Sequence, residues 1–152
     1  MILEEYPILK KAPVTEALID IRVKLLPEFD VANINTIYES IKTRYPEKQE
    51  QKISEVKFEP RAEEIVKSSK PEINGYRYFS SDKKQIVQAR VDGFIFSRLH
   101  PYIKWEELRD EAHRIWQLYK NITSPVSITR VAIRYINNLN IPMPIKDFGD
   151  YL

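Results

Sequence analysis

The stretch Gly75–His100, GYRYFSSDKKQIVQARVDGFIFSRLH, decides the fold, because it reads as three short strands joined by two turns. The strands are Tyr76–Ser80, Lys84–Val91 and Phe94–Leu99. The first turn falls at Ser81–Lys83, and the second falls at Asp92-Gly93. An Asp-Gly pair between two apolar runs predicts a two-residue type I′ turn, in which both turn residues have positive φ.

The Asp92-Gly93 turn also predicts which residues of the hairpin lie opposite one another. On this register Ala89 lies opposite Phe96 on an apolar face, and Arg90 lies opposite Ile95 on a mixed face. A slip of one residue would exchange the two faces, because side chains alternate along a strand. We therefore expect the apolar face to carry the core.

The rest of the chain adds strands on both sides of this meander, together with two helices. Alternating apolar residues predict strands, and apolar residues three and four positions apart predict helices. The predicted elements are a strand Ala17–Leu25, a helix Val31–Tyr45, an edge strand Ile53–Phe58, a helix Trp105–Tyr119 and a strand Val126–Ile141. Residues 46–74 are a polar connection, in which Arg61–Lys67 is either one helical turn or irregular chain.

The order β-α-β-β-β-β-α-β predicts one α+β domain over residues 1–152, a length that suits a single core. Its sheet is mainly antiparallel, and two amphipathic helices pack on one face of it. The absence of cysteine excludes disulfides and thiolate sites, and no apolar run approaches the roughly 20 residues that span a bilayer. The N-terminal MILEEYPILKK has no signal-peptide pattern, so we expect a cytoplasmic protein.

Charge is unevenly distributed along the chain. The net charge is +2, but residues 1–74 hold 12 Lys/Arg against 14 Asp/Glu, whereas residues 75–152 hold 12 against 8. No carboxylate occurs from Ala112 through Lys146. The strand positions predicted to face away from the helices are Asp20, Arg22, Lys24, Gln88, Arg90, Ser97, Arg130 and Arg134. Five of these eight residues are basic, which indicates an anionic partner.

Three interpretations of this open sheet face remain. It binds an anion or a nucleic acid, or it is an ordinary solvated face, or it contacts a second sheet or subunit. The candidate anion-binding residues are Arg22, Lys24, Arg90, Arg130 and Arg134. Tyr76 and Tyr78 are the candidates for stacking on bases. The apolar residues that favour a subunit contact are Ile86, Ile95, Leu99, Ile128 and Ile136.

Signatures of catalysis are weak in this sequence. The histidines, His100 and His113, have no serine or second ligand at a motif spacing, and Glu16 and Asp20 are too far apart for a close dyad. The three glycines are scattered, so they form no phosphate loop. We predict no catalytic residue, metal site or cofactor, and a fragment of an enzyme is only the third hypothesis.

Several stretches together resemble the N-terminal half of a sporadically distributed family of functionally uncharacterised prokaryotic proteins. They are Ala12–Ala17, Ile19–Arg22, Tyr76-Arg77, Gln85–Gln88, Arg90–Phe94, Phe96, Arg98-Leu99, Pro101-Tyr102, Trp105–Glu107 and Arg130–Asn137. The resemblance implies no activity or cofactor. Members of the family continue past Asp150-Tyr151-Leu152 into a second half, which implies a surface left exposed here and covered by a homodimer partner.

The leading functional hypothesis is therefore a non-enzymatic interaction module that uses its open sheet face. Binding of a nucleic acid or nucleotide through the basic residues is the alternative.

Overall fold

The meander at Gly75–His100 forms the middle of a six-stranded antiparallel sheet with the order β2-β3-β4-β5-β1-β6. The computed structural model describes residues 8–54, 71–147 and 149. The strands are β1 (Val14–Lys24), β2 (Glu47–Ile53), β3 (Glu72–Phe79), β4 (Gln85–Arg90), β5 (Gly93–Leu99) and β6 (Ser127–Asn137). A 3₁₀ helix (Val31–Thr36) leads into α1 (Ile37–Ile41), and α2 (Trp105–Thr123) precedes β6. The fold is α+β, and the predicted order of elements is confirmed.

The β4–β5 hairpin differs from the predicted Asp92-Gly93 turn. Arg90 pairs with Gly93, so that the two loop residues are Val91 and Asp92, and neither Asp92 nor Gly93 has a positive φ. The predicted type I′ turn is therefore wrong. The true register differs from the predicted one by two residues, an even number, and each residue consequently keeps its predicted face.

Gly93 is required by a close approach of backbones rather than by a turn conformation. A Cβ on Gly93 would lie 2.6 Å from the carbonyl oxygen of Ile21 in β1. The Val23 amide next to this point donates to the Asp92 carbonyl at 3.1 Å. The Asp-Gly signal thus marks the hairpin correctly, but the physical role of its glycine is to admit β1.

The first helix is shorter than the predicted Val31–Tyr45. Asp30 caps it, accepting a hydrogen bond from the Ala32 amide at 2.9 Å. Its first half is a 3₁₀ helix, and the Thr36 hydroxyl donates back to the Asn33 carbonyl at 2.7 Å. Such local hydrogen bonds from Thr, together with two Asn residues, disfavour a regular α-helix.

Strand ends also differ from the predictions. The first strand begins at Val14 rather than Ala17, and the edge strand is Glu47–Ile53 rather than Ile53–Phe58. Residues 55–58 and the predicted turn at Arg61–Lys67 lie outside the described residues. The last strand covers Ser127–Asn137 rather than Val126–Ile141, because Asn137 pairs with Val14 and β1 offers no strand beyond it.

The core lies between the helices and one face of the sheet. α2 extends one turn beyond the predicted Tyr119, to Thr123, and ends at Ser124, whose φ is 43°. Its buried side is formed by Leu108, Ala112, Ile115, Trp116, Tyr119 and Thr123. The Trp116 ring lies 5.8 Å from that of Phe94 on β5, and the Tyr119 hydroxyl donates to the Arg90 carbonyl at 2.6 Å. These contacts fix α2 across the β4–β5 hairpin.

A polar cluster ties the segment that follows α1 to α2. Tyr45 is fully buried, and its hydroxyl lies 2.8 Å from Glu111 Oε1 and 2.9 Å from Gln85 Oε1. Arg114 donates to both Glu111 oxygens, at 2.7 and 2.9 Å. Burial acts to raise the pKa of Glu111, but hydrogen bonds from Arg114 and Tyr45 outweigh it and lower the pKa below its ordinary value.

Within the described residues, no helix is long and apolar enough to cross a membrane.

Candidate functional site

The predicted basic face is organised around Asp20, which is 5% exposed at the centre of β1. Arg22 Nε lies 3.0 Å from Asp20 Oδ1, and Arg130 Nη2 lies 3.3 Å from Oδ2. Arg22 also reaches Asp92 Oδ2 at 3.1 Å, and Arg90 Nε lies 3.0 Å from Asp92 Oδ1. Three arginines therefore alternate with two aspartates across four strands and the hairpin loop.

This ion-pair network follows from the sheet register. Arg22 pairs with Arg130 on one side and with Gly93 on the other. Two arginines directly opposite one another repel, and the carboxylate of Asp20, two residues along β1, offsets that repulsion. Gly93 has no side chain, which leaves room for Arg22 to reach the loop carboxylate of Asp92.

The ion-pair network offsets part of the positive charge that the sequence predicts for this face. Arg22, Arg90 and Arg130 are each paired with an aspartate, and the five-residue network keeps a net charge of only +1. The Arg90 side chain is 13% exposed and is not available to a large ligand. Among the described residues, Lys24 and Arg134 have no carboxylate within 4.0 Å.

Two residues of this face are not among the candidate anion-binding residues predicted from the sequence. Asp92 was assigned to a turn, and only the three-dimensional arrangement brings it against Arg22 and Arg90. Arg77 pairs with Gln88 and is exposed on the same face, a position that strand alternation alone would have given. The stacking candidates Tyr76 and Tyr78 are buried on the helix face, at 7% and 0% exposure.

The apolar residues predicted on the open face are only partly separated from solvent. Ile86, Ile95 and Leu99 are half-buried, and Ile136 is 41% exposed. Ile128 lies on the opposite face from the predicted one, because an extra residue between Ile128 and Arg130 shifts the register against Arg22 and Val23. A β-bulge of this kind moves the following side chains to the other face.

The most exposed apolar surface lies at β6, on the helix side of the sheet. There Val131, Ile133 and Tyr135 are 64%, 51% and 42% exposed. They lie beside Ile21, Ile19 and Ala17 of β1, of which Ile19 and Ala17 belong to the core and Ile21 packs against it. β6 makes its extensive contacts only with β1, so the helices stop short of it. We call the row of Val131, Ile133 and Tyr135 the β6 apolar row.

β6 is also an edge strand with an open hydrogen-bonding side. The Lys24 carbonyl accepts from Val126 at 2.8 Å, whereas the Val23 amide donates towards Asp92. The even-numbered residues of central β1 therefore point their backbone groups at β6, and pair with Arg130, Ala132 and Arg134. The amides and carbonyls of Val131, Ile133 and Tyr135 point outward, where no strand of the described residues meets them.

The opposite edge of the sheet has a different chemistry. β2, EKQEQKI, carries four charged and two amide side chains and ends in Ile53, which is 49% exposed. Charged side chains on an edge strand discourage pairing with another chain. The sheet therefore has one edge protected by charge and one edge lined by the β6 apolar row.

Among the described residues, no group of three or more His, Cys, Asp or Glu side chains is placed to hold a metal ion. The His113 ring nitrogen Nε2 lies 3.0 Å from Gln117 Nε2 on the exposed side of α2. A cleft lined by Gln85, Arg98, Tyr102 and Glu107, among others, has a volume of about 20 Å³, which is room for about one water molecule.

No protein-family model, no curated protein and no solved structure matches this chain.

Proposed function

We propose that this chain is a non-enzymatic protein-interaction module that acts in the cytoplasm and associates by extending its sheet at β6. The observation that carries the proposal is the β6 apolar row, next to a backbone edge that pairs with no strand of the described residues. An exposed apolar edge strand offers hydrogen bonds along its backbone and apolar contacts from alternate side chains. The active surface is then the edge of the sheet together with the helix side of β6, rather than the open face alone.

A second copy of the chain is the partner that we propose. A homodimer closes the exposed edge of both copies at once, since each copy brings the same unpaired strand. Residues of the opposite edge, Lys48, Glu50 and Lys52, carry charges that oppose pairing there. Association through β6 therefore gives a closed dimer rather than an extended chain of sheets.

The test is the mass in solution of the wild type and of two matched variants. Ile133→Lys places a charge in the β6 apolar row, and Ile53→Lys makes the same change at the other edge, where the exposure is almost equal, 49% against 51%. Size-exclusion chromatography with light scattering at micromolar concentration should give a dimer for the wild type and for Ile53→Lys, and a monomer for Ile133→Lys. A wild type that is cleanly monomeric would contradict the proposed homodimer.

An anionic ligand on the open face is the second candidate function. The observation that favours it is the exposure of Lys24, Arg77, Arg130 and Arg134 on one face of the sheet. Arginine side chains bind phosphate oxygens with two parallel hydrogen bonds. The network around Asp20 limits this function, because it neutralises two of the arginines that a ligand would need.

Binding of a single-stranded oligonucleotide, followed by fluorescence anisotropy across a salt series, tests this candidate. Replacing Arg130 and Arg134 with alanine should lower the affinity and reduce the slope of log K against log salt by about two, one for each lost phosphate contact. The matched control replaces Arg109 and Lys120 of α2, which lie on the helix side. Binding that is absent, or that does not respond to salt, rules the candidate out.

A further inference from the structure

We infer that the two copies pair β6 with β6 in antiparallel orientation about a twofold axis at Ile133, with Val131 of each copy opposite Tyr135 of the other. This inference rests on the proposed function and specifies its binding mode. The same residues of both copies then form one continuous twelve-stranded sheet. Three features of β6 lead to this register: the direction of its backbone groups, its two arginines and its bulge.

The backbone restricts which registers are available. The outward-pointing amides and carbonyls belong to the odd-numbered residues Val131, Ile133 and Tyr135. In an antiparallel ladder, residues that exchange hydrogen bonds lie directly opposite one another. Odd residues of one copy must therefore face odd residues of the other, which leaves registers centred on Ala132, Ile133 or Arg134 near the middle of the strand.

The arginines select among these three registers. Centring on Ala132 places Arg130 opposite the second copy's Arg134, and centring on Arg134 places that residue opposite itself. Like charges directly opposite one another on a sheet are destabilising. Centring on Ile133 instead places Arg134 opposite Ala132 and Arg130 opposite Ile136, so that no arginine faces another across the new ladder.

The same register brings opposite charges together across the interface. Ala132 pairs with Asp20 in its own copy, so Arg134 of the second copy lies two strands from that carboxylate, across a small side chain. Ile136 pairs with Glu16, so Arg130 of the second copy lies two strands from Glu16, which has no cation within 4.0 Å among the described residues. Strands that lie two positions apart in a sheet are separated by about 10 Å. In each case the extended arginine side chain and the facing carboxylate side chain together span this distance.

The apolar side chains and the bulge agree with this choice. Ile133 of each copy lies beside Ile19 of β1, so an apolar row crosses the axis from one core to the other. Val131 meets the second copy's Tyr135, whose ring also packs edge-on against Tyr102 of its own copy, with the ring centroids 5.5 Å apart. The pairing covers residues 129–137 of both copies and ends at the bulge between Ile128 and Arg130.

Disulfide cross-linking between introduced cysteines identifies the register directly, because the chain has no cysteine of its own. The variants are Val131→Cys, Ile133→Cys and Tyr135→Cys, with Ile53→Cys at the other edge as the control. All four positions are exposed, and Tyr135→Cys also removes the hydrogen bond between the Tyr135 and Tyr102 hydroxyls, which lie 3.1 Å apart. Each variant is produced alone and as a co-expressed pair with distinguishable tags, oxidised, and analysed on non-reducing gels.

The expected pattern is one disulfide dimer from Ile133→Cys alone and one from Val131→Cys mixed with Tyr135→Cys. Val131→Cys alone should not cross-link, since its two copies lie about 14 Å apart along the strand at a rise of about 3.4 Å per residue. Cross-linking of Val131→Cys with Ile133→Cys would shift the axis to Ala132, and cross-linking of Ile133→Cys with Tyr135→Cys would shift it to Arg134. Either result overturns the register and leaves the proposed function intact.

Two other outcomes separate the inference from the function. A dimer by light scattering that gives no cross-link at any β6 position overturns β6 pairing altogether. A wild type that is monomeric by light scattering overturns the homodimer and this register together. Cross-linking that is equally strong for Ile53→Cys places the contact at the other edge, and the inference fails.

Discussion

At the scale of single residues, Gly93 shows how a correct signal can have a different physical cause. The Asp-Gly pair predicts positive φ, yet the glycine adopts an ordinary strand conformation and pairs with Arg90. Its importance comes from β1, because any Cβ would meet the Ile21 carbonyl at 2.6 Å. A local rule about turns therefore found the position, and a contact between residues distant in sequence explains it.

This explanation predicts how substitutions at Gly93 behave. Gly93→Ala should destabilise the fold by about 1–3 kcal/mol, the usual cost of overpacking, since backbone atoms of β1 must shift. Gly93→Asn should be at least as harmful, although asparagine tolerates the positive φ of a type I′ turn. The measurement is urea unfolding, with Gly149→Ala as the control, because a Cβ there meets mainly the movable Asp147 carboxylate, at 3.2 Å. A stable Gly93→Asn variant would contradict the close-approach explanation.

At the scale of elements, buried polar side chains fix the helices to one another and to the sheet. Glu111 of α2 binds Tyr45 and Arg114 in a site where its side chain is only 12% exposed. From the sequence alone, Tyr45 is only the last apolar residue of the predicted helix Val31–Tyr45. Its partners lie 40 and 66 residues away, at Gln85 and Glu111, which periodicity along one element does not reveal.

Removing the charge of Glu111 should weaken this attachment in a pH-dependent way. Glu111→Gln is expected to cost about 1–3 kcal/mol at neutral pH, since it disrupts hydrogen bonds between charged groups. The folded-state pKa of Glu111 is lowered, so its contribution is fully present above the ordinary pKa near 4.5 and is lost as the pH falls through the folded value. The free-energy difference between wild type and variant should shrink towards acid pH.

Unfolding curves at several pH values measure this difference. Asp110→Asn is the control on the same helix, because the Asp110 side chain is 67% exposed and its one ion pair with the residues that the structure describes is to its neighbour Arg109. A Glu111→Gln penalty that stays constant from neutral to acid pH would be inconsistent with the lowered pKa.

At the scale of the whole molecule, the two edges of the sheet differ in how readily they can pair with another chain. β2 carries charges that oppose pairing, and β6 carries the apolar row beside an open backbone. No single element accounts for the expected loss of the dimer in Ile133→Lys. It depends on the sheet order, which leaves β6 outermost, and on the reach of the helices, which leaves its row uncovered.

The order of elements and the faces of the β4 and β5 residues could be predicted because both depend on short-range patterns, whereas Tyr76 and Tyr78 of β3, the predicted stacking candidates, are buried in the core. Alternation along Ala17–Leu25 and apolar spacing along Trp105–Tyr119 are visible in a few residues. The bulge in β6 could not be predicted, since nothing in the local pattern around Ile128 indicates an unpaired residue. The first helix was overextended because an apolar spacing of three and four residues continues past its true end at Ile41.

By itself, the sequence determined the α+β class, the hairpin at Asp92-Gly93, the side of the sheet that forms the core, and the basic composition of the other side. The tertiary structure was needed to show that two aspartates pair with Arg22, Arg90 and Arg130 on this basic side. Arg22 pairs with Asp92, which lies 70 residues away in the sequence, and Arg130 pairs with Asp20, which lies 110 residues away. The exposed edge at β6 was decided in the same way. The physical reason is that ion pairs and open edges arise from register between distant strands, whereas periodicity reports only the local chain.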